Sequence, residues 1–189
     1  MKKRIIVAIT GASGIIYAID FLQKLKSYPV EIHGIISPWA KENIKIETNY
    51  QLQDVLDLFD VLHDHKNMGA TIASGSFLTD AMVIVPASMK TVSAIAHGYS
   101  DNLIARSADV IIKEQRKLII TPRETPLSVI HLENLTKLAR LGVQIIPPIP
   151  SFYNQPQTIE DLVSHHSAKL IDSLGLKQDY DRRWGGMNE

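Results

Sequence analysis

The sequence predicts a doubly wound α/β domain, in which a mostly parallel β-sheet is covered by helices on both faces. Short apolar, β-branched runs alternate along the chain with longer segments whose apolar residues recur at helical spacing. A glycine-rich turn, GASG at residues 11–14, separates the first such run from the first helical segment. With right-handed crossovers this order gives a Rossmann- or flavodoxin-like layer, whose ligands bind at the carboxyl ends of the strands.

The apolar runs predict strands at residues 3–10, 30–37, 81–87, 117–121 and 143–146. Helical spacing predicts helices at residues 15–27, 38–48, 51–59, 91–97, 102–114, 126–141 and 158–174. Pro38 stands near the start of its helix, where proline is tolerated. Residues 60–80 show no clear period, so no strand or helix is predicted for that stretch.

Composition narrows the class of protein. The 189 residues, 45% of them hydrophobic, suit one compact domain at residues 3–174 followed by a polar tail at 175–189. Lys and Arg number 20, as do Asp and Glu, so no net field favours nucleic acid or a membrane surface. The absence of cysteine excludes disulfides, thiolate metal ligands and a cysteine nucleophile.

The basic N-terminus, MKKRIIVAITGASG, resembles the start of a signal peptide, but its apolar run is short and ends in glycine and polar residues. We therefore interpret it as the first strand. No apolar stretch approaches the roughly 20 residues that span a bilayer. A cytoplasmic protein is expected.

Three predicted strand ends offer small polar residues. The turn at residues 11–14 permits close backbone approach, and the helix start behind it favours an anion such as a phosphate. It lacks the full G-x-G-x-x-G spacing and a Walker lysine, so by itself it fits a structural turn equally well. Ser37 and the segment PASMKT, residues 86–91, follow two further strands. Together they fit a ligand with a phosphate and a polar ring, such as FMN.

Charged residues concentrate at the predicted ligand side in the second half of the chain. Arg123 and Glu124 follow the strand KLIIT and lie between prolines that favour a turn. Lys113 lies seven residues after Arg106, on one face of a continuous helix. The alternative for Lys113 and its neighbour Glu114 is a solvated helix end. Cations around a phosphate, with a carboxylate nearby, suit transfer chemistry with a phosphate leaving group.

The histidines give no catalytic or metal-binding pattern. His63 and His65 are two residues apart and His165 and His166 are adjacent, whereas H-E-x-x-H needs two imidazoles on one helical face. We interpret them as surface or hydrogen-bonded core residues and propose no metal site. The GASG turn is also not the G-x-S-x-G nucleophile elbow of a hydrolase.

The ordered motifs IVAITGASG, ETN, ASGSF, MVIVPASMKT, DNLIARSADVIIKEQRKLI, RETPLSVIHLEN and FYNQPQTIEDLV resemble those of the UbiX-type flavin prenyltransferases. That family also includes proteins named as components of phenolic acid decarboxylases. The resemblance spans about residues 3–184. It implies transfer of a dimethylallyl group from dimethylallyl phosphate to N5 and C6 of reduced FMN, without a metal. The product, prenylated FMN, would serve a UbiD-type decarboxylase.

The resemblance also implies roles for individual residues. FMN contacts are implied for Gly11, Ala12, Ser13, Ser37, Ser88, Met89, Lys90, Thr91 and Arg123. Contacts to the donor phosphate are implied for Lys113, Arg123, Tyr153 and Lys169.

The same resemblance places Ser13 near flavin N5 and Arg106 at the active site. It gives Glu124 the role of holding the basic cluster and assisting proton transfer. Glu47 is expected to reach a neighbouring subunit's site, because the family forms trimers that assemble into dodecamers with shared sites. Trp184 is expected to cover the prenyl pocket. Many relatives have arginine at the position of Lys169, and the lysine here lacks the bidentate contact that arginine can make. Many relatives also have cysteine at the position of Ala87.

Three other functions stay open at this point. One is direct decarboxylation of a hydroxyarylic acid, and another is decarboxylation of a peptidyl or phosphopantothenoyl cysteine. The cysteine decarboxylases use an early catalytic histidine, whereas here residues 15–49 contain only His33, inside a predicted strand. The third is a flavin carrier with no enzymatic activity.

Overall fold

The computed structural model describes residues 2–177, and these form a six-stranded, all-parallel sheet with helices on both faces. The strands are β1 (Lys3–Ile9), β2 (Val30–Ile36), β3 (Val61–His63), β4 (Ala81–Ala87), β5 (Lys117–Pro122) and β6 (Gln144–Ile145). The helices are α1 (Ile15–Leu25), α2 (Pro38–Glu47), α3 (Leu52–Leu56), α4 (Met89–Ala96), α5 (Leu103–Lys113), α6 (Val129–Arg140) and α7 (Ile159–Ser173). The predicted doubly wound class is confirmed.

The strand order is β3-β2-β1-β4-β5-β6. The chain moves outward from β1 to β3 on one side and then crosses to β4 on the other side of β1. This reversal separates the loops that leave the carboxyl ends of β1 and β4. In open parallel sheets such a switch point is where ligands bind.

Two apolar clusters hold the layers together, one on each face of the sheet. Alternate residues of β1 point to opposite faces, so Ile5 and Val7 pack with α1 and α7, whereas Ile6 and Ala8 pack with α4, α5 and α6. These side chains are almost completely buried. The continuous apolar run in β1 therefore reflects burial on both faces.

Side-chain caps define where several helices begin. Ser128 Oγ accepts a hydrogen bond from the His131 amide at 3.2 Å, and the Ser128 amide donates to His131 Nδ1 at 3.3 Å. This capping box starts α6 at Val129, three residues later than predicted. Most other predicted bounds agree with the structure to within about two residues.

Strand β3 was not predicted from the sequence. Val61 and Leu62 are exposed at the sheet edge, so the three-residue strand has no apolar run to indicate it. Asp60 secures the strand: its Oδ2 accepts from the Ile32 amide at 2.7 Å, and its own amide donates to the Ile32 carbonyl at 3.0 Å.

Candidate active site

Three helix N-termini converge on one cavity at the switch point. The cavity has a volume of about 380 Å³. Its lining residues are Thr10, Gly11, Ser37, Pro38, Trp39, His65, Ser88, Lys90, Thr91, Asn102 and Ile104. Ser37, Ser88 and Asn102 are the N-caps of α2, α4 and α5. The positive ends of three helix dipoles favour an anion in this cavity. The Lys90 ammonium group at its rim pairs with Asp101 Oδ2 at 3.3 Å.

Thr10 fixes the position of one of these helix starts. It is 1% exposed, and its hydroxyl donates to the Pro86 carbonyl at 2.8 Å while accepting from the Ser88 amide at 2.8 Å. The Thr10 amide also donates to the Pro86 carbonyl at 3.3 Å. The carboxyl ends of β1 and β4 are therefore joined immediately behind the N-cap of α4.

The glycine turn holds a protein carboxylate at the start of α1. Glu47 Oε2 accepts from the Gly14 amide at 2.8 Å and from the Ile15 amide at 3.0 Å. Gly14 has a φ of 108°, a left-handed conformation that glycine adopts without strain. The amides of Gly14 and Ile15 therefore have a protein acceptor, whereas the predicted FMN contacts of the turn are Gly11, Ala12 and Ser13 and stay a prediction. The predicted reach of Glu47 to a neighbouring subunit also stays a prediction; within its own chain it caps α1.

Arg123 links the end of β5 to the same turn. Its Nε donates to the Ser13 carbonyl at 3.1 Å, and its amide donates to the Ala87 carbonyl at 3.2 Å. The half-buried guanidinium thus lies beside Ser13 and past the end of β4, as the sequence predicts for a residue at a strand end. Glu124 is exposed and accepts at 3.0 Å from the amide of its own neighbour, Thr125. No contact described for Glu124 involves the basic cluster.

A second polar group forms where the loop after β6 meets α7. The Tyr153 hydroxyl lies 3.4 Å from His165 Nε2, and the two rings meet edge to face with centroids 5.7 Å apart. Lys169, one turn further along α7, is exposed. The next residue after His165, His166, packs edge to face on Tyr17 in the first turn of α1, with centroids 5.1 Å apart. This group therefore neighbours the glycine turn.

Two residues implied by the resemblance lie apart from the cavity within one chain. Ile104 lines the cavity at the start of α5, and Lys113 follows nine residues later, about 14 Å along the helix. Lys113 Nζ pairs with Glu114 Oε1 at 3.3 Å near the amino ends of the strands. Arg106 bonds Asp109 and the Ala73 carbonyl. Neither side chain lines the cavity of its own chain.

The structure adds His65 and Trp39 to the site. His65 lines the cavity, and burial, together with the nearby Lys90 charge, lowers its pKa, which favours the neutral ring. Trp39 lines the same cavity but is 70% exposed. Trp39 could have been predicted from the sequence, because it lies two residues after Ser37 at the end of a predicted strand. His65 could not, because residues 60–80 show neither helical nor strand spacing.

Within residues 2–177, no group of three or more His, Asp and Glu side chains is arranged to hold a metal ion. In the same part of the chain, no helix combines the length and apolarity needed to cross a bilayer. Trp184 and the tail beyond residue 177 lie outside the described residues, so the predicted cover of the pocket stays a prediction.

The fold and the anion cavity define a nucleotide-binding α/β protein of the flavoprotein class, and the flavoprotein family model matches residues 1–171. The chain is 63% identical over 185 residues to flavin prenyltransferase LpdB of Lactiplantibacillus plantarum, covering 97% of this chain and 99% of that protein. It is 49% identical to a probable UbiX-like flavin prenyltransferase of Escherichia coli O157:H7, covering 97% and 94% of the two chains. The chain belongs to the family of UbiX-like flavin prenyltransferases.

Solved structures agree with this assignment. A dodecameric FMN-dependent UbiX-like decarboxylase from Escherichia coli O157:H7 superposes with a TM-score of 0.95 at 49% identity, covering 97% of this chain and all of that one. The protein AnUbiX (PadA1), solved with FMN and dimethylallyl pyrophosphate, gives a TM-score of 0.95 at 44% identity, with 98% and 99% covered. The peptidyl-cysteine decarboxylase EpiD, at 24% identity over 80% of this chain and 84% of its own, shares the fold with a TM-score of 0.61.

Proposed function

We propose that this protein joins the dimethylallyl group of dimethylallyl phosphate to N5 and C6 of reduced FMN, making prenylated FMN for a UbiD-type decarboxylase. The observation that carries the proposal is the presence of two separate places that favour an anion at the carboxyl ends of the strands. One is the cavity of three helix N-termini, and the other is the Arg123 guanidinium on the glycine turn. We assign Tyr153 and Lys169 to the second place, as the resemblance implies. A relative solved with FMN and a dimethylallyl ester supports it.

The cavity fits the phosphate of FMN. Ser37 Oγ and Ser88 Oγ accept from amides inside α2 and α4, at 3.2 and 3.4 Å, and this leaves the Ser37 hydroxyl hydrogen able to donate. Ser88 Oγ also lies 3.1 Å from Thr91 Oγ1, so this pair of hydroxyls offers one further hydrogen to a ligand. We assign the phosphate to these N-caps, with Met89 and Thr91 on α4 and Lys90 beside it. The flavin ring then extends toward Gly11, Ala12 and Ser13, because Glu47 already occupies the amides of Gly14 and Ile15.

The chemistry that reduced FMN supplies is a nucleophilic N5 and, for ring closure, C6. The N5–C bond would form as the donor C–O bond breaks, with the phosphate leaving with the electron pair and N5 releasing its proton. Ring closure would then add one proton to the remaining double bond of the prenyl group, form the bond from C6 to the resulting cationic carbon, and release the proton of C6. The remaining work falls to the protein, which positions the donor beside Ser13 and excludes water from the allylic carbon.

Positive charge near the leaving group stabilises the departing phosphate. The half-buried Arg123 is held on the turn, where its Nε donates to the Ser13 carbonyl at 3.1 Å. In the proposal Lys169 on α7 adds a second positive charge, and the Tyr153 hydroxyl adds a neutral hydrogen-bonding group. For Glu124 we keep the role of proton acceptor from C6, since its exposed carboxylate follows Arg123 directly.

Lys113 and Arg106 act in this proposal from a neighbouring copy, since both lie outside the cavity of their own chain. An assembly of copies has a surface available on α6. Val129, Ile130 and Leu132 are 69%, 67% and 50% exposed, which is unusual for neighbouring large apolar side chains. We propose a homododecamer, by analogy with the dodecameric relative.

The proposed function is tested by incubating the pure protein with FMN, a chemical reductant and dimethylallyl phosphate, with no aromatic acid present. A flavin heavier by one isoprene unit is the expected product, and recovery of unmodified FMN refutes the proposal. Arg123→Gln should slow the transfer strongly. Lys117→Gln serves as the matched control, because Lys117 lies at the amino end of β5 and Arg123 follows its carboxyl end.

Direct decarboxylation is kept as a second candidate because one structural relative is described as a decarboxylase. Incubation of the FMN-loaded protein with a hydroxyarylic acid and no prenyl donor separates the two functions. Release of carbon dioxide would favour this second candidate. A flavin carrier would bind FMN but give neither product.

A further inference from the structure

Three residues of α2 lie along the glycine turn, one on each successive turn of the helix. A Cβ atom added to Gly11 would lie only 2.6 Å from the Cβ of Trp39, so these two residues are in close contact. Asn43 Nδ2 donates to the Ala12 carbonyl at 3.2 Å, and Glu47 accepts from the two amides at the start of α1. A spacing of four residues puts all three side chains on one face of α2. That face follows the turn from its beginning to its end.

The peptide group after Ser13 has a protein partner on each side. In a planar trans peptide, the carbonyl of one residue and the N–H of the next point in opposite directions. Here the Ser13 carbonyl accepts from Arg123 Nε at 3.1 Å, and the N–H that follows donates to Glu47 Oε2 at 2.8 Å. Arg123 and Glu47 therefore lie on opposite sides of the turn, with Glu47 on the side of α2.

The peptide group before Ser13 is oriented the other way round. Its carbonyl, which belongs to Ala12, accepts from Asn43 and so points toward α2. Its N–H, which belongs to Ser13, therefore points away from α2, to the side of Arg123. The structure describes no acceptor for this N–H within residues 2–177, and Ser13 is exposed. The Ser13 amide is thus a directed donor that has no protein partner in the described chain.

We infer that Asn43 is a positioning residue, which turns the Ser13 amide to the side of Arg123 so that it donates to an acceptor atom of the flavin ring. This inference rests on the part of the proposed function that places the flavin ring beside the turn. Glycines stand on both sides of the Ala12–Ser13 pair, and glycine leaves the backbone free to rotate. The Asn43 contact removes this freedom before the flavin binds, so the hydrogen bond costs less entropy.

The test measures the Kd for FMN, riboflavin and inorganic phosphate, without a prenyl donor, in wild type, Asn43→Leu, Asn43→Gln and Glu42→Gln. Leucine is similar in size to asparagine but cannot donate to Ala12, so the Kd for FMN and for riboflavin should rise roughly 3- to 10-fold. The Kd for inorganic phosphate, which probes the cavity alone, should stay unchanged. Asn43→Gln keeps an amide donor and should recover most of the affinity. Glu42→Gln, at an exposed position of the same helix, is the matched control and should bind like wild type.

Hydrogen exchange gives a second readout at the turn itself. FMN should slow exchange in residues 11–15 of wild type, and this protection should be weaker in Asn43→Leu; equal protection in the two proteins would contradict the inference.

Two binding results would also overturn the inference. One is an unchanged Kd for FMN in Asn43→Leu. The other is an equal loss of phosphate binding, because that loss would indicate a general loosening of the site. Asn43→Ala gives the same comparison if Asn43→Leu does not fold. A wild type that binds FMN but transfers no prenyl group would refute the proposed function and leave this inference standing.

Discussion

Acid is expected to destabilise this protein through one buried histidine on α7. His166 is 6% exposed, packs edge to face on Tyr17, and its Nε2 has no hydrogen-bond partner that the structure describes. Burial lowers the pKa of His166 to about 4; the neighbouring His165 adds to this effect, and Asp20 opposes it. The folded protein therefore strongly favours the neutral ring.

The size of the effect follows from the two pKa values. An unfolded histidine titrates near 6.5, so the difference from the folded value of about 4 corresponds to about 3 kcal/mol at 1.36 kcal/mol per unit. Because the folded pKa is the lower one, the unfolded chain binds the proton first. The contribution is complete above about pH 6.5, falls as the pH drops, and is exhausted near pH 4.

Urea unfolding at about pH 7.5 and about pH 4.5 measures this contribution, at one fixed protein concentration. Wild type should lose about 2–3 kcal/mol more than His166→Phe, which keeps an aromatic ring against Tyr17 and cannot titrate. His97→Gln, at an exposed position, controls for the removal of a histidine as such. Parallel pH dependences for wild type and His166→Phe would show the reasoning to be incorrect.

Three further changes test other parts of the structure. Thr10→Val leaves the Ser88 amide without its acceptor and should lower the free energy of unfolding by about 1–3 kcal/mol. A fluorescence titration should also show weaker FMN binding, whereas Thr10→Ser should behave as wild type in both measurements. Glu47→Gln removes a charge from the start of α1 and should cost about 0.3–1 kcal/mol in urea unfolding, less in high salt; a salt-independent loss would contradict the dipole argument. Leu132→Glu should give smaller assemblies by mass photometry, whereas Leu78→Glu, 66% exposed elsewhere, should not; unchanged assembly in the first variant would remove α6 from the interface.

The polar residues at the strand ends could be predicted from the sequence, because each follows an apolar run directly. Ser37 and Ser88 each follow a buried strand, and both cap helices at the cavity as a serine in that position predicts. The position of the switch point depends on the strand order, which the sequence analysis did not predict. The helix N-caps that line the cavity were therefore predictable from short segments, whereas their convergence on one cavity was not.

The role of Glu47 was not predictable in this way, because its partners Gly14 and Ile15 are 33 and 32 residues distant. Such a contact depends on how α2 crosses the start of α1. The sequence predicts that the turn favours an anion, but it does not show that the Glu47 carboxylate of the same chain accepts from two of its amides. The contacts of His165 were not predicted for a related reason. Its partners lie 11 and 12 residues earlier, in a loop whose residues follow neither helical nor strand spacing.

The position of Lys113 could have been predicted from the direction in which α5 runs. Helical spacing places Arg106 and Lys113 on one face, yet α5 must run back from the carboxyl to the amino ends of the strands before β5 begins. Its last residue, Lys113, therefore lies at the far edge of the sheet from the cavity. Chain direction, rather than periodicity, decides this position.

The strand order also affects how the protein is made. On its side away from β2, β1 stays unpaired until β4 is available, and 71 residues separate Ile9 from Ala81. At about 5–20 residues per second, a ribosome needs roughly 4–14 s to synthesise that interval. During this time an apolar strand edge is open to other nascent chains. The edge of β1 that pairs with β4 thus stays exposed to misassembly for longer than the edge that pairs with β2.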